Sequence, residues 1–213
     1  MTKAVPETQP RRPGSGNAEP SGASRDLAHN IPWDRVARYY DAYVTVDFDV
    51  PYFVGRALEV GGPVLELMCG TGRISVPVAE TGVGYCGVDL SPAFTAVLSA
   101  KLAGRGLRAR VVTMDARAFD LGQRFALIFI GFNAFSELLG EADQRYVERD
   151  ADGSVVEDFI LPIRFDLIEL DRFTALAETS GLRVDRVFGD YDEGPYDPAH
   201  SRFIIVELTA ADG

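Results

Sequence analysis

The sequence predicts an α/β protein in which a mostly parallel sheet is covered by helices on both faces. Between residues 64 and 131, short apolar runs alternate with helical patterns, and each run is apolar along most of its length. Strands buried on both faces show this continuous pattern, and strands that alternate with helices pair in parallel. The predicted strands cover residues 64–68, 84–89, 108–113 and 125–131, and the predicted helices cover residues 72–80 and 92–102.

A polar tail precedes the predicted domain. Residues 1–30 are rich in Pro, Gly, Ser, Ala and Glu and contain almost no large apolar side chains. Because such a segment buries too little apolar surface to offset its ordering entropy, we expect residues 1–30 to be disordered. Residues 31–213 then form one domain of ordinary size, in a chain that is 46% hydrophobic and 25% charged.

Further elements are predicted on both sides of the alternating region. Large apolar side chains from Trp33 to Tyr43 recur at three- and four-residue spacing, which predicts an amphipathic helix. A second short helix opens at Pro51, after Asp49 in a capping position. The second half is predicted to contain helices over residues 133–145 and 167–179 and strands over residues 154–165, 182–190 and 201–208.

The acidic balance of the chain limits the classes of partner. The net charge is -11, whereas a nucleic acid or an anionic membrane surface requires a basic face. No apolar run approaches the roughly 18 residues of a membrane span, and residues 1–16 lack the apolar segment of a signal peptide. We therefore expect a cytoplasmic protein with reduced thiols at Cys69 and Cys86 and a small-molecule substrate, without a nucleic-acid or membrane partner. No C-x-x-C motif or His–Cys cluster is present, so no metal site is predicted.

A glycine-rich turn joins the first predicted strand to its helix. The turn, Cys69-Gly70-Thr71-Gly72, lets a ligand approach the backbone closely, and the helix start behind it offers free N–H groups. A dinucleotide site of the G-x-G-x-x-G type would need glycine where Ser75 stands, which disfavours an NAD-dependent oxidoreductase.

Two carboxylates near this turn indicate the chemistry of the ligand. Glu66 lies in the first strand, four residues before Gly70, where a pyrophosphate site has no use for an acid. S-adenosyl-L-methionine (SAM) instead carries a positively charged amino group and a sulfonium. Asp89 ends the second strand, where a carboxylate can accept both hydroxyls of a ribose.

These segments resemble the motifs of a known family. Val64-Leu65-Glu66-Leu67-Met68-Cys69-Gly70-Thr71-Gly72 resembles motif I of class I SAM-dependent methyltransferases, and Gly87-Val88-Asp89-Leu90-Ser91-Pro92 resembles their second motif. Met114-Asp115-Ala116-Arg117 resembles the stretch after the third strand, and residues 125–132 resemble the fourth strand. The motifs follow one another in family order at family-like spacing. The resemblance implies a Rossmann-like fold, SAM as cofactor and a small-molecule methyltransferase of the glycine or sugar N-methyltransferase type.

The resemblance also assigns roles to single residues. Arg73 would pair with the carboxylate of the ligand, Asp89 and Leu90 would lie at the ribose, and Asp115 and Ala116 would contact the adenine ring. Tyr40 would close over SAM from the first helix. The remaining candidate contacts are Glu66 in the first strand, Met68, which would line the methionine end of SAM, Gly70, Thr71 and Gly72 in the turn, and Gly131 at the end of the fourth strand.

Two departures from the family pattern affect the functional prediction. The family usually has glycine where Met68 stands. After the fourth strand, the polar residues 146–150 replace the usual turn and fifth strand, so the sheet is predicted to be shortened. The open edge could be covered by residues 154–165, by the last two strands, or by another chain in a homo-oligomer or complex.

Two functional hypotheses follow. The first is an enzyme that transfers methyl groups from SAM to N or O of a small molecule. The second is a catalytically inactive methyltransferase-like partner or scaffold that still binds SAM. Because SAM is already activated, positioning supplies much of the rate, and the sequence identifies no catalytic residue. His200 lies in a late polar loop, where a lone histidine is usually solvated, so it is not predicted to act as a general base.

Overall fold

The computed structural model describes residues 3–8, 33–131, 134, 142–149, 152, 154–163 and 168–211. The chain divides into two compact units, Met1–Asp166 and Leu167–Gly213. In chain order the first unit contains β1 (Lys3–Thr8), α1 (Trp33–Tyr43), α2 (Val50–Val60), β2 (Val64–Leu67), α3 (Ser75–Glu80), β3 (Tyr85–Asp89), α4 (Pro92–Gly104), β4 (Ala109–Thr113), β5 (Leu127–Ile130), β6 (Ala142–Arg149) and β7 (Val155–Ile163). The second unit contains α5 (Leu170–Thr179), β8 (Leu182–Phe188) and β9 (Ile205–Ala210).

A four-stranded parallel sheet forms the centre of the first unit. Its strand order is β4-β3-β2-β5, and every pairing is parallel. All residues of β2 and β3 are buried, as continuously apolar runs predict. The predicted α/β class with a mostly parallel sheet is therefore confirmed, and each predicted strand matches an observed one to within a few residues.

Alternation along the strands gives the two faces of this sheet different characters. Leu65 and Leu67 of β2 pack with Cys86 and Val88 of β3 and with Leu121 in an apolar cluster on one face. Because successive side chains of a strand point to opposite faces, Glu66 lies on the other face. Tyr85, Gly87 and Asp89 share that face, and Glu66 is the register partner of Gly87. This second face is called the acid face below.

A second, antiparallel sheet in the first unit corrects two predictions. Its order is β1-β6-β7. The helix predicted for residues 133–145 is wrong at residues 142–145, because β6 pairs along its whole length with β7 and this long-range pairing overrides local spacing. Disorder throughout residues 1–30 is likewise wrong at residues 3–8, which pair with β6. Residues 9–32, 132–133 and 135–141 lie outside the described residues.

The predicted strand over residues 154–165 corresponds to β7, but it does not extend the parallel sheet. It pairs with β6, and within the described residues β5 has β2 as its only neighbour. Residues 154–163 therefore do not cover the edge of β5, and the parallel sheet of the described residues has the shortened form that the sequence predicts.

The second unit matches its predicted elements. Helix α5 is followed by β8 and β9, which pair antiparallel. Across the described part of both units, no helix is long and apolar enough to cross a membrane, and no group of three or more His, Cys, Asp or Glu side chains is arranged to hold a metal ion.

Candidate cofactor site

The turn between β2 and α3 has the backbone shape that its glycines predict. Gly70 and Gly72 have positive φ values of 56° and 95°. A Cβ on Gly72 would stand 2.3 Å from Leu98 Cδ1, so this glycine allows α4 to pack against the turn. A Cβ on Gly70 would have no heavy atom within 4 Å, so the backbone there borders open space. A ligand can approach the chain at Gly70 without meeting a side chain.

Met68 takes the left-handed conformation that glycine usually supplies. Its φ is 59°, which is uncommon for a residue with a Cβ. The departure from the family pattern at this position therefore leaves the shape of the turn intact, at a cost in backbone strain of about 1 kcal/mol.

This strain predicts an inverted order of stability at position 68. Met68→Gly and Met68→Ala remove nearly the same side chain, but only alanine keeps a Cβ at positive φ. We expect Met68→Gly to be more stable than Met68→Ala by about 1 kcal/mol in thermal denaturation. At an ordinary backbone position alanine would be the more stable, so a more stable Met68→Ala would contradict the strain.

Glu66 is buried beneath the turn and held by two hydroxyl groups. It is 3% exposed, and its Oε2 accepts hydrogen bonds of 2.6 Å from both Ser75 Oγ and Tyr85 Oη. Burial raises the pKa of Glu66 to about 7, although the two hydroxyls and the charge of Arg73 favour the ionised form. Such an incompletely compensated carboxylate favours a cation nearby. The sequence placed Glu66 in contact with the ligand; in the structure its described partners are protein hydroxyls.

Gly87 makes the space for the Tyr85 hydroxyl. A Cβ on Gly87 would stand 2.8 Å from Tyr85 Oη and 3.0 Å from Cys69 Sγ. We expect Gly87→Ala to displace the hydroxyl from Glu66 and to lower the free energy of unfolding by roughly 1–3 kcal/mol.

A control and a second variant test this explanation by chemical denaturation. Gly104→Ala, at the end of α4, adds a methyl group with no heavy atom within 4 Å and should cause no loss. Adding Tyr85→Phe to Gly87→Ala removes the crowded hydroxyl, so the double variant should lose less stability than the two single losses added together. Strict additivity would rule out crowding at the Tyr85 hydroxyl as the cause.

Asp89 connects the turn after β2 with the turn after β3. Gly70 N donates to its Oδ2 at 2.8 Å, and Ser91 N donates to its Oδ1 at 2.9 Å. Burial raises the pKa of Asp89, and the amides of Ser91, Gly70 and Leu90 offset part of that rise. One carboxylate therefore sets the positions of both predicted cofactor turns.

Helix α1 contacts the turn through Asp41 and packs on α4 through Tyr40. Thr71 is 1% exposed, and its Oγ1 donates to Asp41 Oδ1 at 2.6 Å. The ring of Tyr40 lies edge-on to Phe94 with 5.0 Å between centroids. Both predicted cofactor residues, Tyr40 and Thr71, thus lie where α1 meets the carboxyl ends of the strands.

Arg73 has a protein carboxylate as partner. Its guanidinium forms a two-pronged pair with Asp49, in which Nη2 lies 2.7 Å from Oδ2, and Nη1 also donates to Val46 O at 3.0 Å. Burial alone would lower the pKa of Arg73, but the hydrogen bond and charge of Asp49 outweigh it and the pKa is raised. The predicted contact between Arg73 and the ligand carboxylate stays a prediction.

Asp115 and Ala116 follow β4. Both oxygens of Asp115 accept hydrogen bonds from Arg117, the shortest 2.6 Å from Nη2. Ala116 packs against the apolar cluster of the sheet. An adenine amino group would therefore compete with Arg117 for Asp115, and this contact also stays a prediction.

Gly131 lies at the end of β5, beside the glycine turn. A Cβ there would stand 2.4 Å from Ile74 Cδ1, in the residue that precedes α3. Nearby, the rings of Phe53 and Phe129 stack with 4.6 Å between centroids. The start of α2, the turn and the end of β5 converge at this point.

Sequence reasoning missed several residues that shape the site. Asp49 was interpreted as a helix cap, yet its side chain makes no cap hydrogen bond and is fully buried against Arg73. The position of Tyr85, two residues before Gly87 on the acid face, is the sequence signal for its contact with Glu66. Asp41 and Lys101 carried none, since their contacts with the turn depend on how α1 packs.

Comparison with known proteins places this fold in a class. The CcbJ methyltransferase of Streptomyces caelestis is similar with a TM-score of 0.71 and 22% identity over 84% of this chain and 97% of its own. The sugar N-methyltransferase KedS8 of a Streptoalloteichus species is similar with a TM-score of 0.62 and 16% identity, over 97% of this chain and 100% of its own. The glycopeptide N-methyltransferase MtfA in complex with SAM is similar with a TM-score of 0.53 and 19% identity, over 75% of this chain and 87% of its own. No curated protein matches the chain by sequence.

The parallel sheet, its glycine turn and these structural likenesses define a class I methyltransferase fold. Residues 64–150 match the sequence profile of a methyltransferase-domain family. The matched segment contains the motifs in residues 64–132 whose resemblance to SAM-dependent methyltransferases the sequence indicated.

Proposed function

We propose that the chain transfers a methyl group from SAM to a nitrogen or oxygen atom of a small-molecule acceptor. The observation that carries the proposal is the pair of buried carboxylates, Glu66 and Asp89, on the acid face beside the glycine turn. A buried acid with an elevated pKa favours a cationic ligand, which suits the sulfonium and amino group of SAM. A strand-end acid suits its ribose hydroxyls.

The residues of the chain contribute positioning. When bound, SAM supplies a methyl group already activated on its sulfonium. Asp89 holds the Gly70 and Ser91 amides, and so fixes the two turns that would border the cofactor. Alignment of an acceptor with the methyl group removes much of the entropic part of the barrier. A general base is needed only where the acceptor must lose a proton, and we assign none.

The proposed contacts differ in what the ligand would have to displace. Glu66 acts from beneath the turn, through charge. Thr71, Arg73 and Asp115 have protein partners that a direct contact would share or replace. The other proposed contacts are Tyr40, Met68, Gly70, Gly72, Asp89, Leu90, Ala116 and Gly131.

Small molecules are the acceptor class that the charge favours. The net charge of -11 disfavours a nucleic-acid acceptor. Two proteins of similar structure, a sugar N-methyltransferase and a glycopeptide N-methyltransferase, support an amine on a small molecule as the acceptor. The two free cysteines, Cys69 and Cys86, support a cytoplasmic location.

One observation favours the second hypothesis, a partner or scaffold protein without transfer activity. Within the described residues β5 has a single strand neighbour, and its Ile128 side chain is 54% exposed. An edge strand with exposed apolar surface favours pairing with another chain. We propose that a second copy or a partner chain covers this edge, and native mass spectrometry tests whether the chain is more than a monomer.

A labelled transfer assay distinguishes the two hypotheses. The full chain is incubated with SAM carrying a deuterated methyl group and with a panel of amino sugars, small amines and phenols. The enzyme hypothesis predicts S-adenosylhomocysteine and a deuteromethylated product in the same amount, neither of which forms with Asp89→Ala. Binding of SAM without methylation of any acceptor would favour the scaffold hypothesis.

A further inference from the structure

Helix α1 lies across the carboxyl ends of β2 and β3 and is attached at both. Near its start, Asp34 Oδ1 accepts hydrogen bonds from Ser91 Oγ at 2.6 Å and from Ala93 N at 3.3 Å, just after β3. Near its end, Asp41 Oδ1 accepts from Thr71 Oγ1 at 2.6 Å, just after β2. The two acids are seven residues apart, close to two helical turns, so they share one face of α1.

Lys101 of α4 completes the attachment at the end of α1. Its Nζ donates to Thr71 O at 2.7 Å and lies 2.6 Å from Asp41 Oδ2. Asp41, Lys101 and Thr71 therefore form a closed triangle, which we call the α1 latch. Lys101 is one of only two lysines in a chain with 21 basic residues, and its compact ammonium serves both acceptors.

The latch joins a solvent-exposed ion pair to a buried threonine. Thr71 is 1% exposed, whereas the side chains of Asp41 and Lys101 are 50% and 27% exposed. The charged pair is thus in contact with solvent, where ion pairs are weak enough to break readily. The threonine beneath it belongs to the turn that the proposed function assigns to the cofactor. Opening the latch would free both the Thr71 hydroxyl and the Thr71 carbonyl.

We propose that Asp41 and Lys101 are positioning residues that fix the Thr71 peptide and close α1 over the cofactor turn, and that the α1 latch opens when cofactor enters or leaves. The proposal rests on the proposed function for its ligand. The latch itself is a property of the protein alone, so it has a ligand-independent consequence. Breaking it should loosen α1 and the turn while β3 and β4 stay protected from exchange.

Hydrogen–deuterium exchange tests the ligand-independent part. In the full chain, Asp41→Asn and Lys101→Met should each raise amide exchange over residues 33–43 about tenfold, the effect of losing one hydrogen bond to a charged group. The double variant should exceed either single variant only slightly, because both remove the same latch. The matched control is Arg183→Met on β8, which removes an exposed pair with Asp185 at 3.2 Å and touches no member of the latch.

Stopped-flow binding of S-adenosylhomocysteine tests whether the latch controls entry and exit of the cofactor. The fluorescence probe is Trp33, the single tryptophan, at the start of α1. Displacement of labelled ligand is the second readout. Asp41→Asn and Lys101→Met should raise the dissociation rate constant about tenfold, whereas a purely structural defect would lower the thermal midpoint without this change. Lys101→Arg keeps the charge and should recover part of the effect.

The outcomes separate failure of the latch from failure of the proposed function. Exchange over residues 33–43 that stays within twofold of wild type in both latch variants overturns the latch. Increased exchange with unchanged ligand rates overturns its role at the cofactor turn. If wild type binds no S-adenosylhomocysteine, the proposed function fails, and exchange alone then decides whether α1 is latched.

Discussion

Asp89→Ala is expected to weaken binding of SAM at least about 100-fold, which corresponds to about 3 kcal/mol. The carboxylate is 9% exposed and accepts the Gly70 and Ser91 amides, so its loss removes the proposed ribose acceptor and releases both turns together. The two amides left without an acceptor should also lower the free energy of unfolding by roughly 1–3 kcal/mol. Isothermal titration calorimetry and thermal denaturation measure the two effects.

A second aspartate in the same domain provides the control for this prediction. Asp120 Oδ1 accepts the Gly122 amide at 2.8 Å in an exposed turn, so Asp120→Ala removes a similar hydrogen bond away from the glycine turn. Its affinity for SAM should equal that of wild type. An Asp89→Ala protein that is folded and binds SAM within threefold of wild type would show that Asp89 does not serve the cofactor.

Glu66→Gln is expected to stabilise the protein at pH 8 and to weaken its affinity for SAM. Burial raises the pKa of Glu66 to about 7 in the folded protein, whereas an unfolded glutamate titrates near 4.3. Between these pH values the folded state keeps a proton on Glu66 that the unfolded state releases. The free energy of unfolding therefore falls as the pH rises from about 4.3 to about 7. Glutamine keeps an acceptor for Ser75 and Tyr85 and carries no charge to bury.

The size and pH dependence of this effect follow from the pKa difference. At pH 8 the variant should exceed wild type by up to about 3 kcal/mol, or roughly 5–10 °C in thermal midpoint. At pH 4 the two proteins should be equally stable. Affinity for SAM should fall most at pH 8, where the wild-type carboxylate is ionised and favours the cationic ligand.

Glu80→Gln is the matched control for Glu66→Gln. Glu80 ends α3, and its side chain is 52% exposed, so its replacement changes the same group without removing a buried charge. It should not reproduce the gain at pH 8. Equal stability of Glu66→Gln and wild type at pH 8 would contradict a buried carboxylate whose ionisation opposes folding.

The central sheet was predictable from sequence because its signals are local. The continuous apolar runs at β2 and β3 reflect burial on both faces, and the glycines at positions 70 and 72 reflect backbone angles that only a few residue types tolerate. Helix α1 matched its predicted bounds because its apolar spacing alone identifies it. The motif around Asp89 located an acid that the structure does place beside the glycine turn.

The remaining parts depend on contacts between distant residues. Strand β6 forms by pairing with β1 and β7, and no spacing within residues 133–145 encodes those partners. The hydroxyls on Glu66 come from Tyr85, 19 residues away, and Ser75, nine residues away. Arg73 looked available for a ligand because its partner Asp49 lies 24 residues before it in a different element. Residue types at the site were thus predictable, and the pairs they form were not.

Calorimetric titration of the full chain with SAM tests the central claim most directly. The structure predicts saturable binding of one SAM molecule per chain, lost in Asp89→Ala and retained in Asp120→Ala. S-adenosylhomocysteine should occupy the same site and prevent the heat of SAM binding. No measurable binding of either ligand at millimolar concentration would contradict a cofactor site at Glu66, the Gly70–Gly72 turn and Asp89.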